Sequence, residues 1–106
     1  MKLLYVSGPM SGIKDLNFPA FIAAAEALRR AGYAVVNPVD LNPDPKAEWK
    51  ACMRADIKAL VDCDAVATLP GWKESRGAWL ETRIANGLGM EVDSVEGWLA
   101  RAGVVA

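Results

Sequence analysis

The sequence predicts an α/β domain in which helices cover both faces of a parallel sheet of four to five strands. Short apolar runs alternate with longer segments of helical period, in the order β-α-β-α-β-α-β-α. Alternation of that kind implies parallel strands joined by right-handed crossovers. The length of 106 residues and a hydrophobic content of 53% suffice for one core but not two, so a single domain over 1–106 is expected. No internal repeat, low-complexity stretch or linker interrupts it.

Leu3–Val6 reads as a buried strand closed by Ser7, Gly8 and Pro9. A Gly/Ser/Pro-rich loop runs to Gly12 and on to about Asn17. In the helix that follows, Pro19 suits the first position and Phe21, Ala24, Ala25 and Leu28 form the apolar face. Gly32 stops it after Arg29 and Arg30. Tyr33–Val36 is a second strand. The segment Asn37 to Lys46 carries three prolines and reads as irregular loop. A second helix is expected from Ala47 to Cys63. Trp49, Cys52, Met53, Ile57, Leu60 and Cys63 share one face of it, with Lys50, Arg54, Lys58 and Asp62 opposite. Ala65–Leu69 is a third strand, ended by Pro70-Gly71, and Ser75–Leu88 a third helix. Met90–Val92 is a short fourth strand, and Val95–Ala102 a last helix capped by Asp93 or Ser94. Gly103–Ala106 is a tail. The whole is a flavodoxin- or Rossmann-like three-layer sandwich.

Composition narrows the function classes. Net charge is −1, from twelve basic and thirteen acidic residues, and no basic run appears, so nucleic acid is not an expected partner. No stretch approaches the ~18 apolar residues of a membrane span, and the apolar run at the start is too short for a signal-peptide core. Cys52 and Cys63, on the predicted helix, would stand ~16 Å apart, too far to pair. With no histidine and no cysteine cluster, a zinc site is not expected, and a reduced, cytoplasmic setting is. Any acid–base chemistry then falls to carboxylates, Tyr, Lys or water.

Two acids stand out. On the Ser75–Leu88 helix, at about 100° per residue, Gly77, Leu80, Ile84 and Leu88 share the apolar side. Glu81 falls at its margin, and Trp79, Thr82, Arg83 and Asn86 lie opposite. Burying a carboxylate is costly, and Gly77, one turn earlier, leaves an opening beside it. The alternative is a boundary glutamate that snorkels to water. Asp56 lies near the middle of an apolar face, among Cys52, Met53 and Leu60. Such an acid is paired, aimed into a cleft, or a structural cap on a neighbouring loop.

In an open parallel sheet, ligands bind beyond the carboxyl ends of the strands where strand order reverses. That rule selects the loops Ser7–Asn17 and Pro70–Ser75. Tyr5, just before the first loop, can donate to a buried carboxylate and keep it ionised and oriented. Glu81 can then attack an anomeric carbon as the nucleophile of a retaining glycosidase does, with Asp56 handling protons or fixing sugar hydroxyls. Ser75 and the N–H groups of its helix start can hold a phosphate. Ser7, Gly8, Pro9, Met10, Ser11 and Gly12 form the opposite wall, although this loop is no GxGxxG fingerprint. Trp72 can stack on a base or fold back as a lid anchor.

Several stretches carry a resemblance: Tyr5-Val-Ser-Gly-Pro-Met-Ser-Gly12, Asn17-Phe-Pro-Ala-Phe21, Cys52-Met-Arg-Ala-Asp-Ile57, Asp62-Cys-Asp64, Leu69-Pro-Gly-Trp72 and Ser75-Arg-Gly-Ala…Glu81. Together they resemble an uncharacterised family, common in bacteria and their phages, of the nucleoside 2-deoxyribosyltransferase-like superfamily. That superfamily includes the transferases themselves and 2′-deoxynucleoside 5′-monophosphate N-glycosidases. Both cleave an N-glycosidic bond through a glutamate nucleophile. The resemblance makes Glu81 that nucleophile, Tyr5 its orienting hydroxyl and Asp56 the aspartate near the sugar. Ser75 matches the phosphate-binding serine of the monophosphate glycosidases rather than the transferases' aspartate. The first-loop arginine of those glycosidases is replaced here by Ser11, leaving Lys14 or Arg76 as candidate cations. The resemblance further implies a nucleoside or nucleotide ligand, no metal or organic cofactor, and a homodimer or larger ring. Trp79 suits a subunit contact or packing on the last helix. Two other readings stay open: a non-catalytic nucleotide-binding module, and a subunit-interaction protein with a vestigial pocket.

Overall fold

The computed structural model describes residues 2–104. Four strands, β1 (Leu3–Ser7), β2 (Ala34–Val36), β3 (Ala65–Thr68) and β4 (Glu91–Ser94), pair in parallel in the order β2-β1-β3-β4. Five helices accompany them: α1 (Phe18–Arg30), α2 (Pro38–Leu41), α3 (Trp49–Leu60), α4 (Arg76–Gly87) and α5 (Val95–Arg101). The expected α/β sandwich is present, with four strands. No helix among the described residues is long and apolar enough to cross a membrane. The end of the expected tail, residues 105 and 106, lies outside the described residues.

Strand alternation divides the core. Leu4 and Val6 of β1 pack with Phe21, Ala24 and Leu28 of α1 and with Val95 and Trp98 of α5. Tyr5, between them, points to the other face, with Val66, Leu60 and Ala85. β1 lies between β2 and β3, so the chain winds to one side from β1 and to the other afterwards. The crevice expected at a reversal therefore opens beyond the carboxyl ends of β1 and β3. Gly8 is required there by close approach: a Cβ on it would stand 2.7 Å from the Cβ of Leu69. Trp98, 1% exposed, anchors α5 by donating its indole N–H to the Val66 carbonyl at 2.9 Å. Ser94, not Asp93, caps α5, accepting from the Gly97 N–H at 3.0 Å.

Four expectations need correction. The segment after β2 is not wholly irregular: Asn37 accepts from the Val39 N–H at 3.0 Å and Pro38 opens the short helix α2. α3 ends at Leu60, so Cys63 lies in the following turn; both cysteines are free thiols. β4 runs from Glu91 to Ser94 rather than Met90 to Val92, because its register pairs Glu91 with Ala65 and Ser94 with Thr68. The largest correction concerns α4. Its buried residues are Ala78, Glu81, Thr82 and Ala85, while Leu88 is 58% exposed. Small residues let this helix lie close on the sheet, which rolls the bulky Leu88 outward and brings Thr82 in. Glu81 is thus central to the buried face, not at its margin.

Candidate active site

Glu81 comes to rest over the end of β1, 4% exposed. The Tyr5 hydroxyl donates to its Oε2 at 2.7 Å and the Ser7 hydroxyl to its Oε1 at 2.8 Å. Residues 5 and 7 share a sheet face because strand side chains alternate with a period of two. Burial is the main cause that lifts the Glu81 carboxyl from its ordinary 4.5 to about 7. The two hydroxyls pull it down, and nearby Asp56 pushes it up. Tyr5 itself is driven well above 10, first by burial and then by the Glu81 and Asp56 charges. It stays a neutral phenol with one proton to give.

Asp56 reaches the same place from α3, 7% exposed. Burial raises its carboxyl from 3.8 to about 6, against the lowering effect of donors from Asn42 and Tyr5. The Asn42 amide donates to Oδ1 at 2.7 Å. Both acids line a cleft of about 860 Å³. Met10, Ile13, Pro38, Trp49 and Met53 supply much of its apolar wall. At its mouth the Arg76 guanidinium stacks on Trp49, 4.0 Å from the ring centroid. Arg76 is the cation among the lining residues; Lys14 does not line the cleft. Among the described residues, no three His, Cys, Asp or Glu side chains converge as metal ligands would.

The remaining candidates sort by position. Gly8, Pro9, Met10, Ser11, Ser75 and Gly77 line the cleft. Ser75 caps α4, its Oγ accepting from the Ala78 N–H at 3.2 Å, which leaves its own O–H proton free to donate. Tyr5 and Ser7 stand behind Glu81 and act through it. Gly12 takes up a left-handed turn (φ 80°) away from the lining. Gly77 borders the same opening as Glu81, but its own Cβ position is not empty: a Cβ there would meet the Met53 sulfur at 3.1 Å and the Trp49 ring nitrogen at 3.6 Å. Its missing side chain lets α3 and α4 approach. Trp72 is not brought into the cleft. After the left-handed Gly71 (φ 85°) it borders a separate small hollow with Thr68, Pro70, Ser94 and Glu96.

Sequence reasoning missed one residue, Asn42, and gave another, Ser7, a different position. Asn42 fell in the proline-rich segment read as irregular; the Asn37-Pro38 capping signal was the clue to an ordered turn. Ser7 was placed in a wall, although its strand parity with Tyr5 already put both on one face. Ser7→Ala removes one of the two donors to the Glu81 anion. A hydrogen bond to a charged group contributes about 1.5–3 kcal/mol. The Glu81 titration, followed by carboxyl ¹³C NMR, is therefore expected to move up by about one pH unit or more. An unmoved midpoint would show that Ser7 does not stabilise the ionised form.

No curated protein matches the chain. The sequence profile described as Domain of unknown function (DUF4406) matches residues 2–94, and the chain belongs to that family.

Proposed function

We propose that this protein is an N-glycosidase or deoxyribosyltransferase acting on a nucleoside or nucleoside 5′-monophosphate. The carrying observation is the buried Glu81 carboxylate at the cleft floor, held by two hydroxyls at 2.7 and 2.8 Å with Asp56 beside it. Each Glu81 oxygen accepts one hydrogen bond and keeps electron density for an electrophile. The resemblance of the sequence motifs to the nucleoside 2-deoxyribosyltransferase-like superfamily supports the same reading.

In this mechanism a Glu81 oxygen attacks C1′ of the sugar. The C1′–N bond breaks, its electron pair stays on the base nitrogen, and Asp56 delivers the proton that neutralises it. Water or a second base then attacks C1′ and regenerates the carboxylate, and the proton released returns to Asp56. The Tyr5 and Ser7 hydroxyls fix the attack geometry. Ser75 and Arg76, together at the start of α4, are suited to a 5′-phosphate. The half-exposed Trp79 supports a contact between copies in a homo-oligomer. The two free thiols fit a reducing, cytoplasmic compartment.

The test is mass spectrometry after incubation with 2′-fluoro-arabino nucleosides and their 5′-monophosphates. A glycosyl adduct on the peptide holding Glu81 is expected. Calorimetric binding with neither an adduct nor base release would replace this reading by a nucleotide-binding module.

A further inference from the structure

Asn42 follows the last residue of α2, where its backbone N–H donates to the Pro38 carbonyl at 3.0 Å. Its side-chain Nδ2 faces two acceptors: Oδ1 of Asp56 at 2.7 Å and, more weakly, the same Pro38 carbonyl at 3.5 Å. A carbonyl oxygen and a carboxylate oxygen accept only, so the amide can turn just one way and both of its hydrogens are engaged. Asp56 is nearly closed to water, so water does not replace this donor cheaply.

Other groups face Asp56. Tyr5 comes from β1 and Glu81 from α4, and Cys52 lies one turn earlier on α3 itself. Glu74 and Arg76 line the cleft further out. On α2 the acid Asp40 pairs instead with Arg29 at 3.7 Å. Tyr5 has one proton, and it goes to Glu81 at 2.7 Å. Asn42 is therefore the donor that Asp56 does not share with Glu81.

We infer that Asn42 is the positioning residue of Asp56: its amide occupies Oδ1 and so reserves Oδ2 for any proton that Asp56 carries. A proton on Oδ1 would oppose the amide N–H, whereas one on Oδ2 leaves that hydrogen bond intact. The side chain becomes an acid that works from one oxygen only, and the short turn Asn37–Leu41 exists in this fold at the place that sets it. The consequence for catalysis rests on the glycosyl-transfer reading; the titration that tests the pairing does not.

Side-chain amide ¹⁵N and carboxyl ¹³C resonances are followed against pH. In the wild type the Asn42 amide signals are expected to shift with the Asp56 midpoint. In Asn42→Ala the Asp56 midpoint is expected to rise by about one pH unit or more, because the ionised form loses a donor. An Asn42 amide that stays flat through the Asp56 titration overturns the inference. So does an unmoved Asp56 midpoint in a folded Asn42→Ala protein. If that variant does not fold, the wild-type amide titration decides alone. Where base release is measurable, the alkaline limb of the Asn42→Ala rate profile moves up and kcat falls about tenfold or more with KM little changed. The expected titrations without base release from any substrate would count against glycosyl transfer while upholding the Asn42–Asp56 pairing.

Discussion

Glu81→Gln is expected to lower base release at least ~10³-fold and, at the same time, to make the protein more stable above neutral pH. The first effect follows from removing the nucleophile of the proposed mechanism. The second follows from the carboxyl's displacement from 4.5 to about 7, caused chiefly by burial. Between those values the folded chain binds a proton that the unfolded chain releases. The contribution of Glu81 to stability is therefore most favourable below about 4.5, declines as pH rises to about 7, and is flat above. Fully ionised, the buried acid costs roughly 3 kcal/mol, which glutamine avoids while still pairing with Tyr5 and Ser7. Urea unfolding at pH 5 and pH 8 measures it: the variant's advantage should be several times larger at pH 8. Undiminished turnover in the variant would remove Glu81 from the chemistry. An equal effect on stability at both pH values would mean that the acid is not held in a desolvated site.

Asp56→Asn is the second large effect. If Asp56 passes the proton to the departing base, its loss costs about 10²–10⁴ in rate. The pH profile carries the sharper information. The proposed mechanism needs Glu81 ionised and Asp56 protonated. Their carboxyls titrate near about 7 and about 6, so that form is a minority state even at its optimum. A bell is expected, centred between the two values, its limbs belonging to the coupled pair rather than to either residue. Its acid limb reports protonation of Glu81 and its alkaline limb loss of the Asp56 proton. In Asp56→Asn the alkaline limb disappears. The acid limb persists and reports Glu81 alone, with no downward shift, because Asp56 is already protonated and uncharged on that side of the bell. A bell unchanged in shape would leave Asp56 outside the proton path and make it a structural acid.

Some of this site was readable before any coordinates. Asp56 was visible because a helical wheel placed an acid among Cys52, Met53 and Leu60, and a helix must bury such a face. Ser75 was visible as the residue that starts α4. Glu81 was recognised as an acid out of place, but its setting was misjudged. Hydropathy favours turning Leu80, Ile84 and Leu88 inward together, yet only Ile84 packs on the core beside Ala85, while Leu88 is exposed and Ala78, Glu81 and Thr82 are buried. Packing prevailed, since a helix seated through small residues approaches the strands more closely. Trp72 left the cleft for a comparable reason: one left-handed glycine decides which way the following side chain points.

The sequence by itself determined the alternation of the four strands with α1, α3, α4 and α5, the position of Ser75 at the start of α4, and a cap for α5 at Asp93 or Ser94. Those features depend on a few neighbouring residues, and local periodicity encodes them. Only the tertiary structure decided that the hydroxyl of residue 5 meets the carboxylate 76 positions later. It alone gave Asp56 its own donor from a turn that looked irregular, and it set both acids in one desolvated cleft. Proton affinity depends on what surrounds a group in space, and that surrounding is assembled from distant parts of the chain only when the sheet closes.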